Sequence, residues 1–134
     1  MKKICTIAIA LLAAMSARAI ELPDIIGDNM ILQQNTSAKL WGWAEKDHYV
    51  TVRTGWDGKS YTVKAGADGR WDVSVQTPAA GYEQYSMTFS EYASEPKKTT
   101  KAVDEKTVSG VLAGEVWFCS GQSNMEMPLG GFWN

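Results

Sequence analysis

Short stretches that alternate apolar and polar residues, cut repeatedly by Asp, Asn, Gly and Pro, most constrain what this chain can fold into. Val50 and Val52 fall on one face of Tyr49–Arg53, and Trp71, Val73 and Val75 share a face of Trp71–Val75. Tyr85, Met87 and Phe89 repeat the pattern with a period of two, the side-chain period of a β-strand. Ala38–Trp43 alternates in the same way, and Met30–Leu32 follows the turn Gly27-Asp28-Asn29. Asp57-Gly58 is a strong hairpin signal, because both residues tolerate positive φ, and it predicts Ser60–Ala65 as the returning strand. A second pair, Asp68-Gly69, separates that strand from the one at Trp71. No helical period of any length interrupts residues 20–112. About seven short strands with turns every 8–12 residues imply a mainly β fold. The expected form is an antiparallel β-sandwich of the immunoglobulin or jelly-roll kind. The polar stretch Ser94–Lys106 is expected as a loop or a solvent-facing edge strand.

The first nineteen residues stand apart. Met1-Lys2-Lys3 is a positive start, Ile4–Met15 is an apolar run too short to span a bilayer, and Ala17-Arg18-Ala19 places small residues where a signal peptidase reads. This pattern predicts a signal peptide over 1–19, cleavage after Ala19, and a periplasmic or extracellular product; the alternative is a retained N-terminal anchor. Cys5 leaves with the peptide. The whole chain has 13 Lys+Arg and 15 Asp+Glu, and the leader holds Lys2, Lys3 and Arg18 with no acid. The remainder carries 10 basic against 15 acidic residues, a net charge of −5. That balance argues against nucleic acid and against an anionic membrane surface as partners. Cys119 is then the one remaining cysteine, so no internal disulfide is available and the fold rests on its apolar core.

After Lys106 the texture changes. Val108–Ala113 leads into Val116-Trp117-Phe118-Cys119, an apolar run without alternation, which suits a strand buried on both faces. Cys119 in such a run is expected to be a small buried hydrophobe. Next comes the polar turn Gly121-Gln122-Ser123-Asn124. A serine held just after a buried strand is fixed at the rim of a sheet, with its backbone N–H free to stabilise an oxyanion. Gly121 permits a tight turn, and Gln122 and Asn124 bring amides that can brace the loop or reach a substrate. The Gly-x-Ser-x-Gly elbow is not matched, since Met125 occupies its last position. By itself such a pentapeptide is commonly just a turn with a hydroxyl cap.

The string from Gly114 through Ser123 to Leu129, Gly-Glu-Val-Trp-Phe-Cys-Ser-Gly-Gln-Ser-Asn-Met-Glu-Met-Pro-Leu, resembles the first block of the sialate O-acetylesterase family of SGNH-type hydrolases. Leu22-Pro23, Asp28–Gln33, Leu40–Ala44 and Ala67–Trp71 resemble the β-sandwich that precedes the esterase in bacterial members. The resemblance implies Ser123 as the nucleophile, its N–H in the oxyanion hole, and Gly121, Gln122 and Asn124 as loop support. Gln122 stands where many SGNH enzymes have Asp, which is usual for this branch. The substrate it implies is an O-acetylated sialic acid or another acetylated glycan, with no cofactor and no metal.

The family's later oxyanion donors and its Asp-x-x-His have no counterpart in these residues. Accordingly 20–112 is expected as the sandwich and 113–134 as the cut-off start of the hydrolase domain, a fragment inactive alone. The one histidine, His48, is expected as an exposed turn residue rather than as the base. The alternative reading from the six tryptophans is a carbohydrate-binding or spacer sandwich. Against that alternative, Trp71 and one of Trp41 or Trp43 are expected to fill the core; Trp41 and Trp43 share the face of their strand opposite Leu40, where the pair could line an interdomain surface. A further alternative is deacetylation of a plant polysaccharide such as acetylated xylan. Asp24, Asp28, Asp57, Asp68 and Asp72 are scattered among turns, where Asp serves local hydrogen bonding rather than a metal.

Overall fold

The alternating runs become strands because each can turn one apolar face inward and leave the other to water. The computed structural model describes residues 19–122 and Met125. Among them are seven strands, β1 (Ile31–Gln33), β2 (Ser37–Trp43), β3 (Tyr49–Thr54), β4 (Ser60–Lys64), β5 (Arg70–Gln76), β6 (Tyr85–Tyr92) and β7 (Asp104–Gly114). No helix longer than a single turn occurs among the described residues. The fold is mainly β. Five strands form one sheet in the order β1-β7-β6-β3-β4, and β2 pairs with β5 in a second.

The inner faces of the two sheets meet as the alternation requires. From β2 and β5 come Leu40, Trp71 and Val75; from the larger sheet come Val50, Val52, Met87, Phe89, Val108 and Val111, all buried. Trp71 and Phe89 touch across the layers, with ring centroids 6.1 Å apart and planes tilted by 43°. Gly42 lies opposite Trp71 in the β2–β5 ladder. A Cβ at Gly42 would stand 2.8 Å from the indole, so the glycine makes room for the largest core side chain.

The turns divide into two kinds. Asp57-Gly58 closes a true hairpin between β3 and β4, with Gly58 at φ 66° and the Asp57 carboxylate accepting from Thr54 Oγ1 and the Lys59 N–H. Asp68-Gly69 joins strands of different sheets, so it is a corner rather than a hairpin. Gly69, at φ 79°, accepts the Ala44 N–H there, which ties the corner to the end of β2.

β7 departs most from the sequence reading. It begins at Asp104, so the end of the polar stretch 94–106 is strand. It also carries a bulge where its register against β6 shifts, beside Gly110 at φ 71°. The extra residue puts both Val108 and Val111 on the inner face although they are three apart. That is why alternation fails in the run 108–113. A Cβ at Gly110 would lie within 2.4 Å of Asn29 Oδ1, so the bulge also needs a glycine for space. On its far edge β7 receives β1 in parallel, Ile31 opposite Leu112 and Gln33 opposite Gly114. Every other strand pair is antiparallel.

Candidate active-site loop

The chain leaves the larger sheet at Gly114, and the residues that fix its exit are Gln33, the last of β1, and Gln34 just after it. Gln33 and Gln34 both donate side-chain N–H groups to the Glu115 carboxylate, and Gln33 Oε1 accepts the Val116 N–H at 2.8 Å. The Gln34 backbone N–H donates to the Gly114 carbonyl at 2.8 Å. This clasp pins the root of the loop to an edge strand more than eighty residues earlier. Sequence reasoning missed it, because nothing local marks Glu115 as the partner of two glutamines.

The Gln34 amide first, and the Gln33 amide second, favour the ionised carboxylate and hold Glu115 below the ordinary glutamate value of 4.5. A depressed carboxylate contributes its stabilisation above its unfolded-state value and loses it as pH falls through the folded one. Acidification below about pH 4.5 is therefore expected to loosen the loop root before the sandwich melts. Trp117 fluorescence against pH, with Glu115→Gln as control, reads this; the acid step should vanish in the variant.

Beyond the clasp, residues 116–119 form no strand, against expectation. Val116, Trp117 and Phe118 are 52%, 81% and 95% exposed. Cys119 is exposed rather than buried. The physical reason is that an apolar run becomes a strand only beside a partner that completes its ladder, and no described strand lies alongside this one. Gly121 and Gln122 are exposed. The Met125 N–H donates to the Gln122 carbonyl at 2.9 Å. A Cβ on Gly121 would come within 2.6 Å of the Met125 side chain, so glycine suits this close approach. Ser123 and Asn124, the expected nucleophile and its neighbour, lie outside the described residues.

His48 corrects another expectation. It is half-buried rather than an exposed turn residue, with Nδ1 2.6 Å from Glu91 Oε1. Glu91 is 1% exposed and sits on the inner face of β6 opposite Val50. Its Oε1 also accepts the Glu45 N–H, while Oε2 has no protein partner. A buried carboxylate needs such a donor, and His48 supplies it. The pair sits at the Asp104 end of the sheet, since Glu91 is opposite Asp104 and Tyr49 opposite Tyr92. The loop leaves from the Gly114 end, roughly 30 Å away along β7 at the usual strand rise. His48 thus serves the sandwich and does not meet the loop at its exit.

The tryptophans sort by face. Trp71 is core. Neither Trp41 nor Trp43 is fully buried as one of them was expected to be: they lie opposite Asp72 and Arg70 on the face away from Leu40, both part-buried, with Trp41 packed against the core cluster. Among the described residues no group of three or more His, Cys, Asp or Glu side chains is placed to hold a metal ion.

With this geometry in hand, comparison with solved structures finds a carbohydrate acetylesterase from Xanthomonas citri, 34% identical, with a TM-score of 0.65. The match covers 83% of this chain and 23% of the esterase chain, so this chain spans about a quarter of that protein's length. No family model matches the sequence, and no curated protein matches it. Over most of its length, this chain is related to part of a carbohydrate acetylesterase.

Proposed function

We propose that the chain belongs to an exported carbohydrate esterase that removes O-acetyl groups from sialic acid or a related glycan. The observation that carries this reading is the 34% identity to a carbohydrate acetylesterase over 83% of this chain. The block around Ser123 refines it to a sialate O-acetylesterase-like enzyme. Residues 1–19 act as the export signal, 20–112 as the sandwich, and 113–134 as the start of the hydrolase domain.

In the reaction, the Ser123 hydroxyl attacks the acetyl carbonyl while a base takes its proton. The tetrahedral oxyanion is held by the Ser123 N–H together with donors outside these residues. Collapse expels the sugar hydroxyl and leaves an acetyl-serine, and water then releases acetate. Among the described residues the one histidine, His48, is tied to Glu91 in the sandwich, and the 134 residues alone are expected to release no acetate. The exposed Trp117 and Phe118 suit a surface that the remainder of an esterase domain covers.

Acetate release by the whole protein from O-acetylated sialic acid and from acetylated xylan tests the reading. Faster release from the sialic acid supports it, and release from xylan alone would replace sialate with a plant polysaccharide. No acetate from either substrate by the folded protein would contradict the esterase itself.

A glycan-binding sandwich is a second reading, favoured by one observation: Trp41 and Trp43 share an outer face with Arg70 and Asp72. It expects Trp41→Ala with Trp43→Ala, in the whole protein, to abolish glycan retention on affinity electrophoresis while leaving aryl-acetate hydrolysis intact.

A further inference from the structure

Ile20 is the first of the described residues to enter the core. It is 2% exposed and packs in the main apolar cluster, while Ala19 before it is exposed. Glu21 then forms a reciprocal bridge with Trp43, with N–H···O distances of 2.8 and 2.9 Å. Among the described residues burial thus begins at Ile20, the residue that follows the small-residue pattern Ala17-Arg18-Ala19. The Ile20 nitrogen is also already partnered. Its N–H donates at 2.8 Å to Oδ2 of Asp104, the half-buried first residue of β7.

We propose that cleavage after Ala19 converts the Ile20 nitrogen into an α-ammonium that Asp104 holds as an ion pair, so that maturation itself fastens the N-terminus onto β7. The proposal rests on the leader reading of residues 1–19. Water adds across the Ala19–Ile20 amide: the carbonyl carbon takes the oxygen and leaves as the Ala19 carboxylate. The nitrogen keeps its bond to Ile20 and takes up protons to become an ammonium. In the precursor the contact is a neutral amide on a carboxylate. In the mature chain the same atom bears a full charge against the same carboxylate, which adds the attraction of two opposite charges to a hydrogen bond that was already charged on its acceptor side.

The test uses the complete chain, exported with its own leader, and mass spectrometry of its N-terminus. The mature protein should begin at Ile20. Asp104→Asn is then introduced into a chain that begins at Ile20 and into one that begins at Ala19. In the Ile20 chain the substitution should raise the unfolding equilibrium constant by about tenfold more than in the Ala19 chain. A mature N-terminus elsewhere would overturn the leader reading. A start at Ile20 with equal costs in both chains would overturn the ion pair alone. If Asp104→Asn does not fold, acylation of the wild-type α-amine decides: it should be slow in the folded Ile20 chain and fast after denaturation. Equal rates in the two states would contradict the proposal.

Discussion

Replacing Trp71 by alanine is expected to remove most of the stability of the sandwich. The side chain is 1% exposed and is the largest fully buried one. It bridges the two sheets at Phe89 and fills the space left open by Gly42. Truncating a buried Trp or Phe to Ala costs about 3–5 kcal/mol, against a total of about 5–15 kcal/mol for an ordinary domain. Urea denaturation should show a collapsed midpoint, or a chain that no longer folds cooperatively. Trp71→Phe should be much milder. It retains a ring against Phe89, and Trp71 Nε1 has no partner to lose. A variant Trp71→Ala as stable as the wild type would show that the two layers are not joined through this residue.

Replacing Ser123 by alanine is expected to have the largest effect on activity. Deleting the nucleophile of a serine acyl-transfer site typically costs about 10³-fold or more, because binding and oxyanion donors alone leave only a residual rate. Among the described residues the core cluster reaches no further than Val111, so the substitution is expected to leave stability unchanged. The whole protein carrying Ser123→Ala should therefore release acetate at no more than about a thousandth of the wild-type rate, while keeping the wild-type unfolding midpoint. A variant that still releases acetate at the wild-type rate would mean that another group attacks the ester.

The strands were legible where one face was apolar and the other wet. Val50 and Val52, Trp71 and Val75, and Met87 and Phe89 announced their burial by alternation, and each pair is buried. What alternation cannot carry is partnership. The parallel pairing of β1 with β7 joins residues some eighty positions apart, and nothing near Ile31 or Leu112 encodes it. The bulge at Gly110 was hidden for the opposite reason, because one added residue breaks the period that reveals a strand. Glu91 was invisible as an interior residue, since its burial depends on His48, which lies forty-three residues earlier.

For the loop, chemistry was legible only through the string around Ser123. The clasp of Glu115 by Gln33 and Gln34 depends on the β1–β7 pairing and so could not precede it. The run Val116–Cys119 reads as a buried strand by composition, yet burial is a property of what packs on it. Trp117 and Phe118 are exposed where no described strand meets them.

The central claim, that Ser123 is the nucleophile of a carbohydrate esterase, is tested most directly by a fluorophosphonate probe on the whole protein, followed by peptide mass spectrometry. Such a probe is attacked by an activated serine and stays bound to it. The account predicts one adduct, on the peptide carrying Gly121-Gln122-Ser123, and its loss together with acetate release in Ser123→Ala. An unlabelled Ser123 in a protein that still releases acetate would contradict it.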